Sequence, residues 1–90
     1  MEKALVSVTG VDKPGIIAKV STALYELNIN VLEITQTILD GYFTMLMIVE
    51  LSEAKASFAE VAKRQDTVGA EIGVAISMQR TTIFDAMHRV

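Results

Sequence analysis

The dipeptide Asp40-Gly41 constrains this chain more than any other pair of residues. It separates two apolar-rich runs, 31–39 and 42–51. A type I′ turn needs positive φ at both central residues, which aspartate tolerates and glycine adopts freely. The pair predicts a two-residue hairpin in which Leu39 faces Tyr42. Side chains alternate along a strand, so this one register sorts both strands. Leu32, Ile34, Gln36 and Ile38 share a face with Phe43, Met45, Met47 and Val49. This face is the more apolar and should lie under helices. Val31, Glu33, Thr35, Thr37 and Leu39 share the other with Thr44, Leu46, Ile48 and Glu50. That face is mixed, and Leu46 and Ile48 call for partial cover, from the C-terminal residues or from a second subunit.

The flanking sequence completes the layout. Ala4, Val6 and Val8 alternate with Leu5, Ser7 and Thr9, which predicts a first strand. After a loop at 10–13 the period changes at Pro14: Ile16, Val20, Ala23, Leu24 and Leu27 fall on one helical face, and Asn28 can end the helix in a left-handed conformation. Ser52 is the predicted N-cap of a second helix with Phe58, Val61 and Ala62 on its inner face and Glu60 and Arg64 spaced as an i,i+4 pair outside. Gly69 and Gly73 punctuate its end. Val74, Ile76 and Met78 predict a fourth strand, and residues 82–89 a short C-terminal helix with Ile83, Phe84 and Met87 on one side. The order βαββαβ, with right-handed crossovers joined by a hairpin, predicts an α+β ferredoxin-like sandwich over one domain, 1–90: a four-stranded antiparallel sheet with both helices on one face.

Composition narrows the function classes. Hydrophobic residues make up 51% of 90 residues, enough to leave apolar surface for a partner subunit. There is no cysteine, hence no disulfide and no thiolate metal site. Eight basic and 11 acidic residues give a net charge of −3 with no basic stripe, which argues against nucleic acid. No apolar run reaches the length of a membrane span and no signal peptide is evident, which predicts a cytoplasmic domain without membrane attachment. His88 is the lone histidine, so no metal site and no cofactor is predicted. No nucleophile–base set or phosphate loop is present, and an enzyme is not expected. An RNA-recognition domain on this fold would need stacking aromatics on its central strands, and ALVSVTG has none.

The segment TGVDKPGII, residues 9–17, holds the chain's only proline and one of its five glycines where the first helix begins. Glycine there weakens a helix by about 1 kcal/mol relative to alanine. Asp12 can cap the helix and Pro14 fits its first turn. Gly15 is surplus to capping, and two readings of it stand open. Either the loop needs glycine for its own path, or a bare backbone lets an anion such as a carboxylate approach the helix-start amides. Asn30, on the short link NIN, is either a turn former or an amide suited to an amino acid's polar groups. Gln36 is either a satisfied structural amide or a ligand contact. Met45, Met47, Met78 and Met87 read as core or interface filler.

The stretch DKPGIIAKVSTALYELNINVLEITQT resembles the ACT domain, through D-x-P-G at the loop, an apolar helix, and N-I/V at the start of the second strand. ITQT, DGYFTM and a terminal IFDAM are similar to a family of stand-alone ACT-domain proteins related to the glycine-cleavage regulator-like proteins. The resemblance implies a regulatory module that binds an amino acid or similar metabolite at the interface of a homodimer or higher assembly. Carried over position by position, Asp12, Lys13, Gly15 and Ile16 would line one side and Asn30 would approach from the partner. Serine-sensing members place a histidine where this chain has Gly10, and Asp12 carries charge where an amide often sits. Asp12 would then hold a ligand amine while the helix-start amides hold its carboxylate. The alternative is a structural dimerising adaptor that acts through a protein partner with its loop empty.

Overall fold

The computed structural model describes residues 2–81. Along the chain run β1 (Lys3–Val11), α1 (Ile16–Glu26), β2 (Asn30–Leu39), β3 (Tyr42–Glu50), α2 (Phe58–Ile72) and β4 (Ala75–Arg80). The hairpin forms as Asp40-Gly41 requires: both residues take positive φ, 53° and 79°, and Leu39 faces Tyr42. The strands order as β2-β3-β1-β4, every neighbouring pair antiparallel. With α2 packed on β4 and α1 on α2, this is the ferredoxin-like βαββαβ sandwich. The predicted helix over 82–89 lies outside the described residues.

Alternation builds the core. Ala4, Val6 and Val8 of β1, Phe43, Met45, Met47 and Val49 of β3, and Ile76 of β4 are buried beneath Ile16, Val20, Ala23 and Leu24 of α1 and Val61 and Val68 of α2. Asn28 ends α1 with φ 60°, as predicted. Its N–H donates to Tyr25 O (2.9 Å), and Ile29 N–H donates to Leu24 O (3.0 Å). These are the paired bonds of a Schellman motif, and both Leu24 and Ile29 are buried.

Several local expectations are corrected. Ser57, not Ser52, caps α2: its hydroxyl accepts the Glu60 N–H and the Glu60 carboxylate accepts the Ser57 N–H, a reciprocal capping box. Ser52 instead accepts the Glu2 N–H and donates its own N–H to Glu50. Glu60 and Arg64 do not pair. Glu60 is engaged at the cap, and Arg64 reaches across to Glu26 of α1. Gly69 lies within α2, where a Cβ would come within 2.7 Å of Val74 O, while Gly73 ends the helix.

The register of β2 is also corrected at its start. A bulge between Val31 and Glu33 puts Val31, rather than Leu32, opposite Val49 and turns it to the core side. From Ile34 to Ile38 the predicted pairing holds. Yet Leu32, Ile34 and Ile38 are 40%, 50% and 57% exposed. The helical layer stands toward β4 and leaves the edge strand β2 open, so the prediction that helices cover its apolar face fails.

Candidate functional site

The β1–α1 loop is built against the hairpin tip. Asp12 donates its N–H to Gly41 O (2.9 Å), tying the loop to the β2–β3 turn. Asp12 does not cap α1, and Pro14 precedes the cap instead of opening the first turn. Gly15 is the N-cap, in the left-handed region at φ 89°, with no side chain accepting the first amides. Its own carbonyl accepts the Lys19 N–H (2.9 Å). The glycine is therefore required by conformation, since a Cβ at that φ costs about 1–2 kcal/mol. No atom stands within 4 Å of where a Cβ would lie, so the same residue leaves open space.

That space is a cavity of about 220 Å³ lined by Asp12, Lys13, Gly15, Ile16, Ile17, Ala18, Gln36, Ile38 and Phe43. The structure thus brings together the four loop residues singled out in the sequence and adds Gln36, from the open face of β2. The wall carries one carboxylate, one primary amide and the bare amides of a helix start over an apolar floor of Phe43 and Ile38. This arrangement can hold a small zwitterion: anion at the amides, cation at Asp12. No acidic residue stands in the first turn of α1, whereas α2 carries Glu60 in its own. The two helices thus form an internal contrast, one end sealed by its own side chains and the other unsealed.

Lys13 has a second occupation. A Cβ on Gly73 would come within 2.9 Å of its Nζ, which places the ammonium at the C-terminal end of α2, where the helix dipole favours a cation. Gly10 lies beside Val74: a Cβ there would meet Val74 Cγ1 at 2.9 Å. The space that a histidine would need at position 10 is filled by that valine.

Asn30 is not part of this cavity. It opens β2 opposite Glu50 and lines a separate hollow of about 300 Å³ with Tyr25, Asn28, Ile29, Glu50 and Glu53. Gln36 and Ile38 lie six and eight residues further along the strand, roughly 20–26 Å away at strand rise. Within one chain the loop and Asn30 cannot share a ligand. Beside Asn30 the Glu50 carboxyl is held below its usual range by the Ser52 hydroxyl and amide.

Among the described residues no group of three or more His, Cys, Asp or Glu is placed to hold a metal, and no helix is long and apolar enough to cross a membrane.

Comparison with known proteins extends these observations. The family model of an ACT domain matches residues 2–79. A UPF0237 protein of Bifidobacterium longum is 48% identical over 90 residues, with all of both chains covered. Among solved structures, an ACT domain protein from Streptococcus pneumoniae superposes with a TM-score of 0.82 at 40% identity, covering 97% of this chain and 98% of that one. The regulatory subunit of aspartate kinase from Thermus thermophilus, in its ligand-free form, superposes with a TM-score of 0.67 at 31% identity, covering 87% of this chain and 50% of that one. By the family-model match and by relatives of equal length, this chain belongs to the ACT domain family, whose members are generally small-molecule-binding regulatory modules.

Proposed function

We propose that this protein is a non-enzymatic sensing module whose homodimer binds an amino acid, or a metabolite of like charge, in the loop cavity. One observation carries the reading: the unsealed amides of α1 open into a cavity that also presents Asp12 and Gln36. The ligand carboxylate sits at the amides beyond Gly15, its ammonium at Asp12, and its side chain over Ile38 and Phe43. Gln36 supplies a further donor and acceptor. Asn30 closes the site from a second copy. Two β2 edges side by side and antiparallel, about a two-fold axis near mid-strand, carry Asn30 of one copy toward the Gln36–Ile38 end of the other. The signal is linkage: a ligand that bridges two copies favours the bridged arrangement by its differential affinity.

Calorimetry of the full chain against the twenty amino acids tests this. Heat of binding at millimolar concentration or below is expected for at least one, and Asp12→Asn should weaken that ligand about tenfold or more by removing a charge-assisted contact. No heat with any amino acid would sink the ligand class. Unchanged affinity in Asp12→Asn would sink the role given to Asp12. The open apolar face of β2 also favours a second reading, a dimerising adaptor without a ligand. It predicts a fixed dimer at every amino-acid concentration.

A further inference from the structure

From Ile34 to Ile38, the side of β2 that continues the core face is apolar except at one position. Ile34, Gln36 and Ile38 stand opposite Met47, Met45 and Phe43, and all three of those partners are buried. Position 36 therefore borders the core, where a leucine or methionine would extend it. Gln36 is instead exposed, and none of the side-chain hydrogen bonds among the described residues engages its amide. A polar group kept at the margin of a core, where an apolar one would add stability, is the pattern of a residue retained for function.

Its place in the loop cavity sets it apart from the groups that would hold an amino acid's backbone. Asp12 is tied to Gly41 at the hairpin tip. Ile38 and then Gln36 follow down β2, about 7 Å apart at strand rise, and both line the cavity with Asp12 and Gly15. A ligand with its ammonium at Asp12 and its carboxylate at the amides beyond Gly15 extends its side chain over Ile38 toward Gln36. The Lys13 ammonium lies beside Gly73 at the end of α2. Gln36 is thus the polar group left for the ligand's side chain.

Resting on the reading of this cavity as an amino-acid site, we propose that Gln36 determines its specificity and selects a ligand with a neutral, hydrogen-bonding side chain, a hydroxyl or a primary amide. The Gln36 amide both donates and accepts, so either group finds a partner there. A charged side chain would leave water for the apolar floor of Phe43 and Ile38, with Asp12 and Lys13 already engaged, and that desolvation is costly. An aliphatic side chain suits the floor but strands the amide once Asn30 of a second copy closes the cavity and displaces water. The stranded amide supplies the discrimination. An apolar pocket separates a hydroxyl from a methyl poorly, whereas a site built to hydrogen-bond a group rejects the analogue that lacks it.

Calorimetry of the full chain with matched ligands tests this: threonine against valine, serine against alanine, asparagine against leucine. In at least one pair the polar member should bind about tenfold or more tightly, the scale expected for one unpaired amide. Gln36→Met keeps an unbranched side chain and should bring that ratio to about one or invert it, with a urea midpoint unchanged or higher. A merely structural amide would instead lower the midpoint and leave the ratio alone. Apolar members that bind as tightly as their polar partners in every pair would overturn the proposal while leaving an amino-acid site in place. So would a ratio that survives in Gln36→Met, or tightest binding by lysine or glutamate. The ratios of the parent chain decide the ligand class whatever the stability of the variant. Silence with every amino acid would overturn the sensing reading itself and the proposal with it.

Discussion

Gln65 is the one polar side chain fully buried among the described residues, and neither its Oε1 nor its Nε2 has a hydrogen-bond partner. An amide left unsatisfied in an apolar setting costs about 1–3 kcal/mol, while an apolar side chain of similar size at the same place has nothing to desolvate. Gln65→Leu should therefore stabilise the fold by about 1–2 kcal/mol, read as a higher urea midpoint with an unchanged slope. A loss of stability would show that the amide is satisfied after all. Gln65 follows Val61 by four residues, so helical spacing alone puts it on the inner face, but its polarity hides it from a reading that follows apolar residues. At Gly15 the opposite holds. The sequence shows a glycine that capping does not need, and the structure gives the reason as a left-handed N-cap, which no property of Asp12 could foretell. Gln36 was visible as a polar exception on an apolar face. Its place in the cavity depends on how far the helices reach across the sheet, which strand alternation does not encode.

Capping separates the two helices as elements. The interlocked Ser57 and Glu60 close α2, so Ser57→Ala should cost about 1 kcal/mol in chemical denaturation. The pH dependence has a definite sign. The Ser57 N–H, and then its hydroxyl, hold the Glu60 carboxyl below its usual range. A carboxyl with a depressed folded pKa stabilises above its unfolded pKa, near 4.3, and loses that stabilisation as pH falls through the lower folded value. The gap between the parent and Glu60→Ala, which removes the titrating carboxyl, should thus be full at pH 7 and narrow below about pH 4. A gap constant from pH 7 to pH 3 would remove Glu60 from the cap. Serines at 52 and 57 both precede the helix, and the sequence distinguishes them only by the glutamate three residues after Ser57, the spacing of a capping box. The Asp40-Gly41 hairpin was fully legible because its turn chemistry is local. The bulge at Leu32 was not, because it depends on how β2 leaves the core at its first residues.

At the scale of the molecule, the proposed site is divided between two ends of one edge strand, and that division is testable by mixing copies. In a two-fold dimer each cavity takes its loop from one copy and its Asn30 from the other, so the dimer holds two composite sites. Asp12→Ala should disable the loop half and Asn30→Ala the other half, each abolishing binding when alone in a dimer. Unfolding and reassembling equal amounts of the two variants produces heterodimers in about half of the population. Each heterodimer carries one site with both halves intact and one with neither, so binding stoichiometry should recover to about a quarter of the parent's. Ile34→Lys on the same edge supplies the complementary result. Ile34 is 50% exposed in the single chain, so a lysine there is tolerated by the fold but opposes pairing of the strand edges, and this variant should sediment as a folded monomer and bind no amino acid. Recovery from mixing, together with loss in the monomer, requires that the site lie between copies. A mixture that stays silent while both variants dimerise would show that Asn30 does not complete the partner's cavity, and an Asn30→Ala dimer that still binds would place Asn30 outside the site. A monomeric Ile34→Lys that still binds would confine the ligand to the loop, Gln36 and Phe43 of a single chain.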